Sequence, residues 1–316
     1  MKLFLAPLAG FTDAPFRRLC REGGADLVYT EMVSAAGLAH GNSPTRQLME
    51  TMPGEGPVAC QIFGADEADI AAATREADRT GRFVELNLNA GCPMQKVTKC
   101  GAGAKLAEDP KKIGRLLRAM TENTALPVTL KTRLGPHPQR TTIFDILGEA
   151  EAAGAKGIAV HARYTSQMHG GPVRLDVLRE VVEQSRIPVT GNGSVTDAAS
   201  ARAMSETGVD AIMLGRAIWS DPGLFARLKG GKSELDGLTA AELCRRHLEY
   251  VLAFRNQLAT AYPNDHVPSE DGYASVKMHV HLFRYFNGRP GAAALRARLN
   301  NVRSLSEIRT IISAMD

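Results

Sequence analysis

Residues 187–217 read IPVTGNGSVTDAASARAMSETGVDAIMLGRA. A β-rich apolar run, Ile187–Thr190, enters the glycine turn Gly191–Gly193. A helical segment over Ala198–Thr207 stops at Gly208, and a second apolar run, Asp210–Leu214, ends at Gly215–Arg216. Short apolar runs bounded by glycine read as buried strands, and glycine just beyond a helical segment is its usual stop. Two strands joined through a helix run parallel. The stretch is therefore one βα unit followed by the strand of the next.

The same alternation extends back to the start of the chain. Apolar runs occur at 3–6, 27–30, 57–63, 83–88, 127–131 and 157–161, making eight with the two above. Amphipathic helical segments are predicted over Glu67–Arg79, Lys111–Asn123, Ile143–Ala153, Arg174–Gln184 and Pro222–Leu228. Pro110 after Asp109 is a helix start, and Gly154 is a helix end. Eight such units predict a (β/α)8 barrel. Beyond "LKGGKSELDGL" (228–238) the strand pattern ceases, and 239–316 reads as helices broken at "YPNDHVPSEDG" and "NGRPG". The expected organisation is a barrel over 1–230, a linker over 229–238 and a small all-helical domain over 239–316.

The chain of 316 residues is 44% hydrophobic and 23% charged, an ordinary globular balance. No apolar run is long enough to span a bilayer, and "MKLFLAPLAG" is too short for a signal peptide, so a cytoplasmic location without membrane attachment is expected. The five cysteines (20, 60, 92, 100, 244) form no CxxC pair, which argues against a disulfide scaffold or a structural zinc site. No metal is expected, and no obligate protein partner is evident. Charge is uneven. Between Gly272 and Ile311 there are seven Lys/Arg (277, 284, 289, 296, 298, 303, 309) against the single acid Glu307, while the whole chain carries only +4. A basic segment on a near-neutral body suits a polyanion partner, although a solvated helical face would look the same.

In barrels of this kind the active site lies at the C-terminal ends of the strands. Polar groups collect there in this sequence: Pro7–Gly10, Glu31, Gln61, Asn89 and Cys92, Lys131 and Arg133, His161 and Arg163, Asn192 between Gly191 and Gly193, and Gly215–Arg216. Each taken singly has a plain structural explanation; Cys92 could be a small core residue and His161 a satisfied core histidine. Their recurrence at one face is what points to a site. The last two glycine turns lead into helices, and the loops after strands seven and eight are where such barrels hold phosphate. A phosphate-bearing ligand is implied. No GxGxxG follows an opening strand, so a Rossmann dinucleotide site is not supported.

The segments "APLAGFTDAPFR", "TEMVSA", "CQIFG", "NLNAGCPMQKV" with "GAGAKL", "VTLKTRLG", "VHAR", "GNGSV" and "MLGRA" occur in that order within residues 1–228. In this the chain resembles the tRNA-dihydrouridine synthases, flavin enzymes that reduce uridine in tRNA, and N-x-GCP is the specific element. The resemblance implies FMN held by Pro7, Leu8, Ala9, Gln61, Lys131, His161, Asn192, Gly193, Ser194, Gly215 and Arg216, with NADPH or NADH as reductant. It implies Cys92 as the acid that protonates uracil C5, with Asn89, Arg133 and His169 near the base. Lys277, His279 and Arg284 would contact tRNA from the basic helical tail. Two departures stand out: the family usually carries Asp where Ser194 stands, and often a tyrosine near His169. Two other readings are an FMN barrel acting on a free pyrimidine, of dihydroorotate or dihydropyrimidine dehydrogenase type, and a tRNA-binding protein without activity. The first gives no reason for the basic tail, and the second none for Cys92 and Lys131.

Overall fold

The computed structural model describes residues 1–286, 299 and 301–314. Its strands are β1 (Lys2–Leu5), β2 (Leu27–Tyr29), β3 (Val33–Ser34), β4 (Val58–Phe63), β5 (Glu85–Ala90), β6 (Val128–Arg133), β7 (Ile158–His161), β8 (Val189–Asn192) and β9 (Ala211–Leu214). All pair in parallel, in the order β2-β1-β9-β8-β7-β6-β5-β4, and a further β2–β4 pairing, Val28 opposite Val58, closes the ring. The eight-stranded barrel expected from the alternation is therefore present. The additional strand, β3, was not anticipated; it is two residues long and pairs with β4 (Val33 opposite Ile62).

Up to β9 the helices are α1 (Ala14–Glu22), α2 (Ala35–Ala39), α3 (Ser43–Gln47), α4 (Glu67–Arg79), α5 (Gln95–Thr98), α6 (Pro110–Thr121), α7 (Ile143–Ala152), α8 (Leu175–Gln184) and α9 (Ala198–Ser205). Their starts follow the local chemistry. Asp66 caps α4 by accepting from Asp69 N, and Asp109 caps α6 from Lys112 N with Pro110 at the first turn. The helices turn apolar faces inward, as with Ile113, Leu116, Leu117 and Met120 of α6.

The chain divides into two compact units that are not contiguous in sequence. The first comprises 1–8, 26–49 and 57–215 and contains the whole barrel. The second gathers 9–25, 50–56 and 216–316, so compactness groups α1 and the segment 216–238 with the C-terminal helices. After α10 (Leu224–Leu228), that unit is built on α11 (Ala240–Ala261), α12 (Glu270–Tyr285) and a last described helix, Leu305–Ser313. Thr239 opens α11 through a reciprocal cap with Glu242. A core of Val251, Phe254, Met278, Leu282, Ile308 and Ile311 among others holds these helices together. Inside the same unit Arg17 of α1 is buried and bonded to both carboxylate oxygens of Glu55, at 2.6 and 3.1 Å. The expected break at "NGRPG" and the basic residues Arg289, Arg296 and Arg298 lie outside the described residues.

Candidate active site

Side chains alternate along a strand, so residues two apart share a face. On β5 the polar residues Glu85, Asn87 and Asn89 obey that period, and on β6 so do Thr129, Lys131 and Arg133. Register sets them side by side: Gln61 opposite Asn87, Asn87 opposite Thr129, Asn89 opposite Lys131, Arg133 opposite His161, and His161 opposite Asn192.

One row forms a continuous hydrogen-bonded chain. Asn89 Nδ2 donates to Gln61 Oε1 (2.7 Å), Gln61 Nε2 to Asn87 Oδ1 (2.7 Å), and Asn87 Nδ2 to Thr129 Oγ1 (2.7 Å). Thr129 donates to Glu85 Oε1 at 2.5 Å, and the Tyr29 hydroxyl reaches the same oxygen at 2.7 Å. Burial pushes the Glu85 carboxyl above its ordinary value, with the two hydroxyl donors opposing.

The other end of the chain holds the cysteine. Asn89 Oδ1 accepts from Cys92 N (3.0 Å) and Gly91 N (3.2 Å), while Arg133 Nε donates to Gly91 O (2.9 Å). A side chain at Gly91 would be crowded, because its Cβ would stand 3.2 Å from the Thr132 carbonyl carbon. Burial raises the Cys92 thiol above its ordinary pKa, and the Met94 N–H, Arg133 and Lys131 only partly counter this. It is a protonated thiol at neutral pH. Cys100, by contrast, is exposed at the end of α5.

Lys131 Nζ donates to Asn192 Oδ1 at 3.0 Å, and Asn192 is fixed in turn by donating to Met213 O at 2.8 Å. Burial, with the Arg133 charge second, lowers the Lys131 pKa to about 7. Arg133 is lowered to about 10, by burial and then by Arg163, and so keeps its charge. It also donates from Nη1 to Met168 O at 2.7 Å. His161 is held well below its ordinary range by burial and by Lys131, Arg133, Arg163 and His169 in turn, so it is neutral. Arg163 Nη1 lies 3.2 Å from His161 Nε2; a guanidinium only donates, which leaves the ring proton on Nδ1. Arg163 also bonds Gly171 O (2.8 Å) and Ser194 Oγ (2.6 Å). Ser194 has φ +55°, and Gly193, at φ +126°, lies so close to His161 that a Cβ would meet its Cδ2 at 2.9 Å.

The barrel unit thus brings together Gln61, Asn89, Cys92, Lys131, Arg133, His161, Asn192, Gly193 and Ser194. Pro7 and Leu8 follow β1, and Gly215 follows β9, in the same unit; Ala9 and Arg216 belong to the second unit, where Arg216 opens the short helix Arg216–Trp219. His169 is exposed, its ring 6.3 Å from that of His161. In the second unit Lys277 Nζ pairs with Asp13 Oδ2 at 3.4 Å, Arg284 lies over the Trp219 ring at 4.4 Å, and His279 is partly exposed.

A family model described as "Dihydrouridine synthase (Dus)" matches residues 4–314. The chain belongs to the dihydrouridine synthase family. It is 31% identical to a probable tRNA-dihydrouridine synthase of Mycobacterium leprae, over 99% of this chain and 87% of the relative. It is 33% identical to tRNA-dihydrouridine synthase B of Pseudomonas putida, over 94% and 86%. With tRNA-dihydrouridine synthase B of Klebsiella pneumoniae it shares 35% identity over 72% and 71%. Among solved structures it is similar to morphinone reductase, with TM-score 0.52 and 14% identity over 75% of this chain and 88% of that one, a likeness of fold.

Within this cluster, sequence reasoning overlooked Glu85, Asn87 and Thr129, which carry the hydrogen-bonded row running on from Gln61 and Asn89. The signal was available: three polar residues at period two in an otherwise apolar strand face one interior. Arg163 was noted only as a strand-end residue, and its bond to Ser194 has no local signal because the two are 31 positions apart.

Proposed function

We propose that this chain is an FMN-dependent tRNA-dihydrouridine synthase that reduces the C5–C6 double bond of a tRNA uridine, with NADPH or NADH as reductant. The observation that carries the reading is Cys92: a thiol kept protonated by burial, on a turn fixed by Asn89 and Arg133, at the C-terminal end of the strands beside Lys131.

The donor set suits a flavin, whose pyrimidine edge presents acceptors. Lys131 and His161 lie toward the ends of neighbouring strands and offer Nζ and Nδ1–H as donors, Gln61 keeps a second amide N–H beyond its bond to Asn87, and the missing side chain at Gly193 lets the His161 ring pack close beside that turn. These residues, with Pro7, Leu8, Asn192, Ser194 and Gly215, would hold FMN. FMN held there would provide the hydride chemistry that reduction at uracil C6 requires.

The remaining chemistry belongs to the protein. Cys92 Sγ–H donates its proton to C5, and the raised thiol pKa keeps that proton in place until it is needed. Asn89 has both ends of its amide engaged, by Gln61 and by the Gly91 and Cys92 N–H groups, and so acts here by setting the reach of the cysteine. Arg133 performs the same service from the carbonyl side and retains its charge for the base or its phosphate, with His169 at the rim. The uridine has to leave its stack to reach these groups. Residues 239–316 would engage the rest of the tRNA, and the enzyme would work in the cytoplasm.

Stopped-flow absorbance of the flavin tests this. Cys92→Ala is expected to be bleached by NADPH as fast as wild type but to recover on tRNA about 10²–10⁴-fold more slowly. Cys100→Ala should match wild type in both phases. If Cys100→Ala is the slow variant, or Cys92→Ala recovers at the normal rate, the acid is another group. Turnover of free uridine at a rate equal to that on tRNA would place the chain among free-pyrimidine reductases instead.

A further inference from the structure

In the second unit Asp13, His247 and His281 meet from three separate elements: the N-cap of α1, the first half of α11 and the last half of α12. They are 8%, 0% and 1% exposed, and one ligand-capable atom of each lies within 4.8 Å of the others. Their surroundings are aromatic. Phe16 packs on both histidines, with ring centroids 5.8 and 4.7 Å away, and the two imidazoles meet edge to face at 4.4 Å. A polar atom without a partner is costly in such a place, which is why buried side-chain nitrogens are nearly always bonded. Here two are not: His247 Nε2 and His281 Nδ1 have no hydrogen-bond partner among the described residues.

We propose that Asp13, His247 and His281 form a binding site for a divalent cation of the zinc class. Two imidazoles and a carboxylate are a donor set that such ions take, at bonds of about 2.0–2.2 Å that would draw the three atoms inward. The protonation states suit it. Burial holds both imidazoles below their ordinary range, which leaves lone pairs available. Burial pushes Asp13 up, but Lys277, His281, His247 and the Phe16 N–H outweigh it and leave the carboxyl below its ordinary value, ionised. His247 Nδ1 lies 3.1 Å from the Tyr285 hydroxyl, an outer contact of the kind that orients a ligating histidine and directs its other nitrogen to the metal.

Lys277 gives the proposal its sharpest consequence. Its Nζ, 3.4 Å from Asp13 Oδ2, is the counter-charge of the carboxylate in this structure, and its side chain is 25% exposed on a flexible stem. A cation bound at Asp13 takes over that role, and Lys277 moves its ammonium into water. The ion and Lys277 compete for one carboxylate.

The experiment titrates zinc chloride into EDTA-treated, flavin-loaded full-length protein against a fluorescent chelator, with melting followed in parallel. One equivalent should bind and raise the melting temperature. Asp13→Asn and His281→Gln should each weaken binding by more than the roughly 10–100-fold typical of losing an outer contact. Lys277→Met should tighten it, since the competitor is gone. Cobalt(II) binding without a sulfur-to-metal charge-transfer band would separate this site from capture by Cys92 or Cys100. The absence of a zinc-dependent melting shift in wild type would overturn the proposal, as would binding unchanged in Asp13→Asn or weakened in Lys277→Met. Lys277 is partly exposed and its replacement leaves the core filled, so the test survives misfolding of the buried variants. Neither readout involves tRNA or flavin turnover, so its failure and that of the proposed activity are distinguishable.

Discussion

Lys131 shows how far one residue's environment can be turned to use. An ammonium whose pKa has dropped to about 7 is held half-charged by burial and by Arg133, and a ligand that brings negative character to it restores the proton. If FMN is that ligand, binding leaves the proton count of Lys131 unchanged below about pH 7 and takes up one proton above it. Affinity for FMN is then expected to be flat below about pH 7 and to fall by up to about tenfold per pH unit above it. Lys131→Met should bind more weakly and lack the break; fluorescence titration of apoprotein across pH 6–9 would show it, and a break of equal size in Lys131→Met would remove Lys131 from the cofactor site. The position of Lys131 was legible in the sequence because a strand end in a barrel has a known address. Its depressed pKa was not, since that depends on Arg133 two residues along the same face and on burial by neighbouring strands. Asn89 teaches the converse. A type suited to hydrogen-bonding uracil turns out to be spent on Gln61 and on the Cys92 turn, and nothing in "NLNAGCP" says which use prevails.

The loop from Cys92 to Gly103 behaves as one element, because Ala104 N donates to Cys92 O at 2.9 Å and closes it. Gly103 makes that closure possible. Its φ is +60°, and a Cβ there would stand 2.6 Å from Cys92 O and 2.8 Å from Val97 Cγ1. Gly103→Ala should therefore cost about 1–3 kcal/mol in backbone strain and shift the Cys92 turn. A displacement of about 1 Å can cost about 100-fold in a positioned reaction, so if the proposed reaction is the one catalysed, recovery of the flavin on tRNA should slow by at least about tenfold while bleaching by NADPH stays normal. Equal slowing of both phases would mean general damage rather than misplacement of the thiol. Long elements of this kind were readable: α4 begins and ends at Glu67 and Arg79 as its periodicity and caps require. Short ones were not. β3 has two residues, and α2 and α3 five each, too few for any period to show. The helix α1 was not anticipated although Asp13 and Pro15 mark its start.

For the molecule as a whole, the question is where the excess positive charge of the C-terminal helices goes. The sequence counts charges but does not reveal which are already engaged. Of the basic residues between Gly272 and Ile311, Lys277 faces Asp13 and Arg284 stacks on Trp219, so reversing either would disturb the packing of the helical unit as much as any RNA contact. Arg309 is different: it is exposed, and with Arg245 it lines a groove formed by Leu248, Leu252, Ile312 and Ser313, where Glu249 is the acid present. If this face meets tRNA phosphates, Arg309→Glu combined with Arg245→Glu should weaken tRNA binding and reduce the slope of log affinity against log salt by roughly 0.7–0.9 for each phosphate that is no longer neutralised. On the proposed activity, NADPH oxidation without tRNA should be unchanged. Filter binding across a range of salt concentrations separates the outcomes. A weaker affinity with an unaltered slope would mean that the substitutions act through the fold, and an unaltered affinity would remove this face from any tRNA-binding surface.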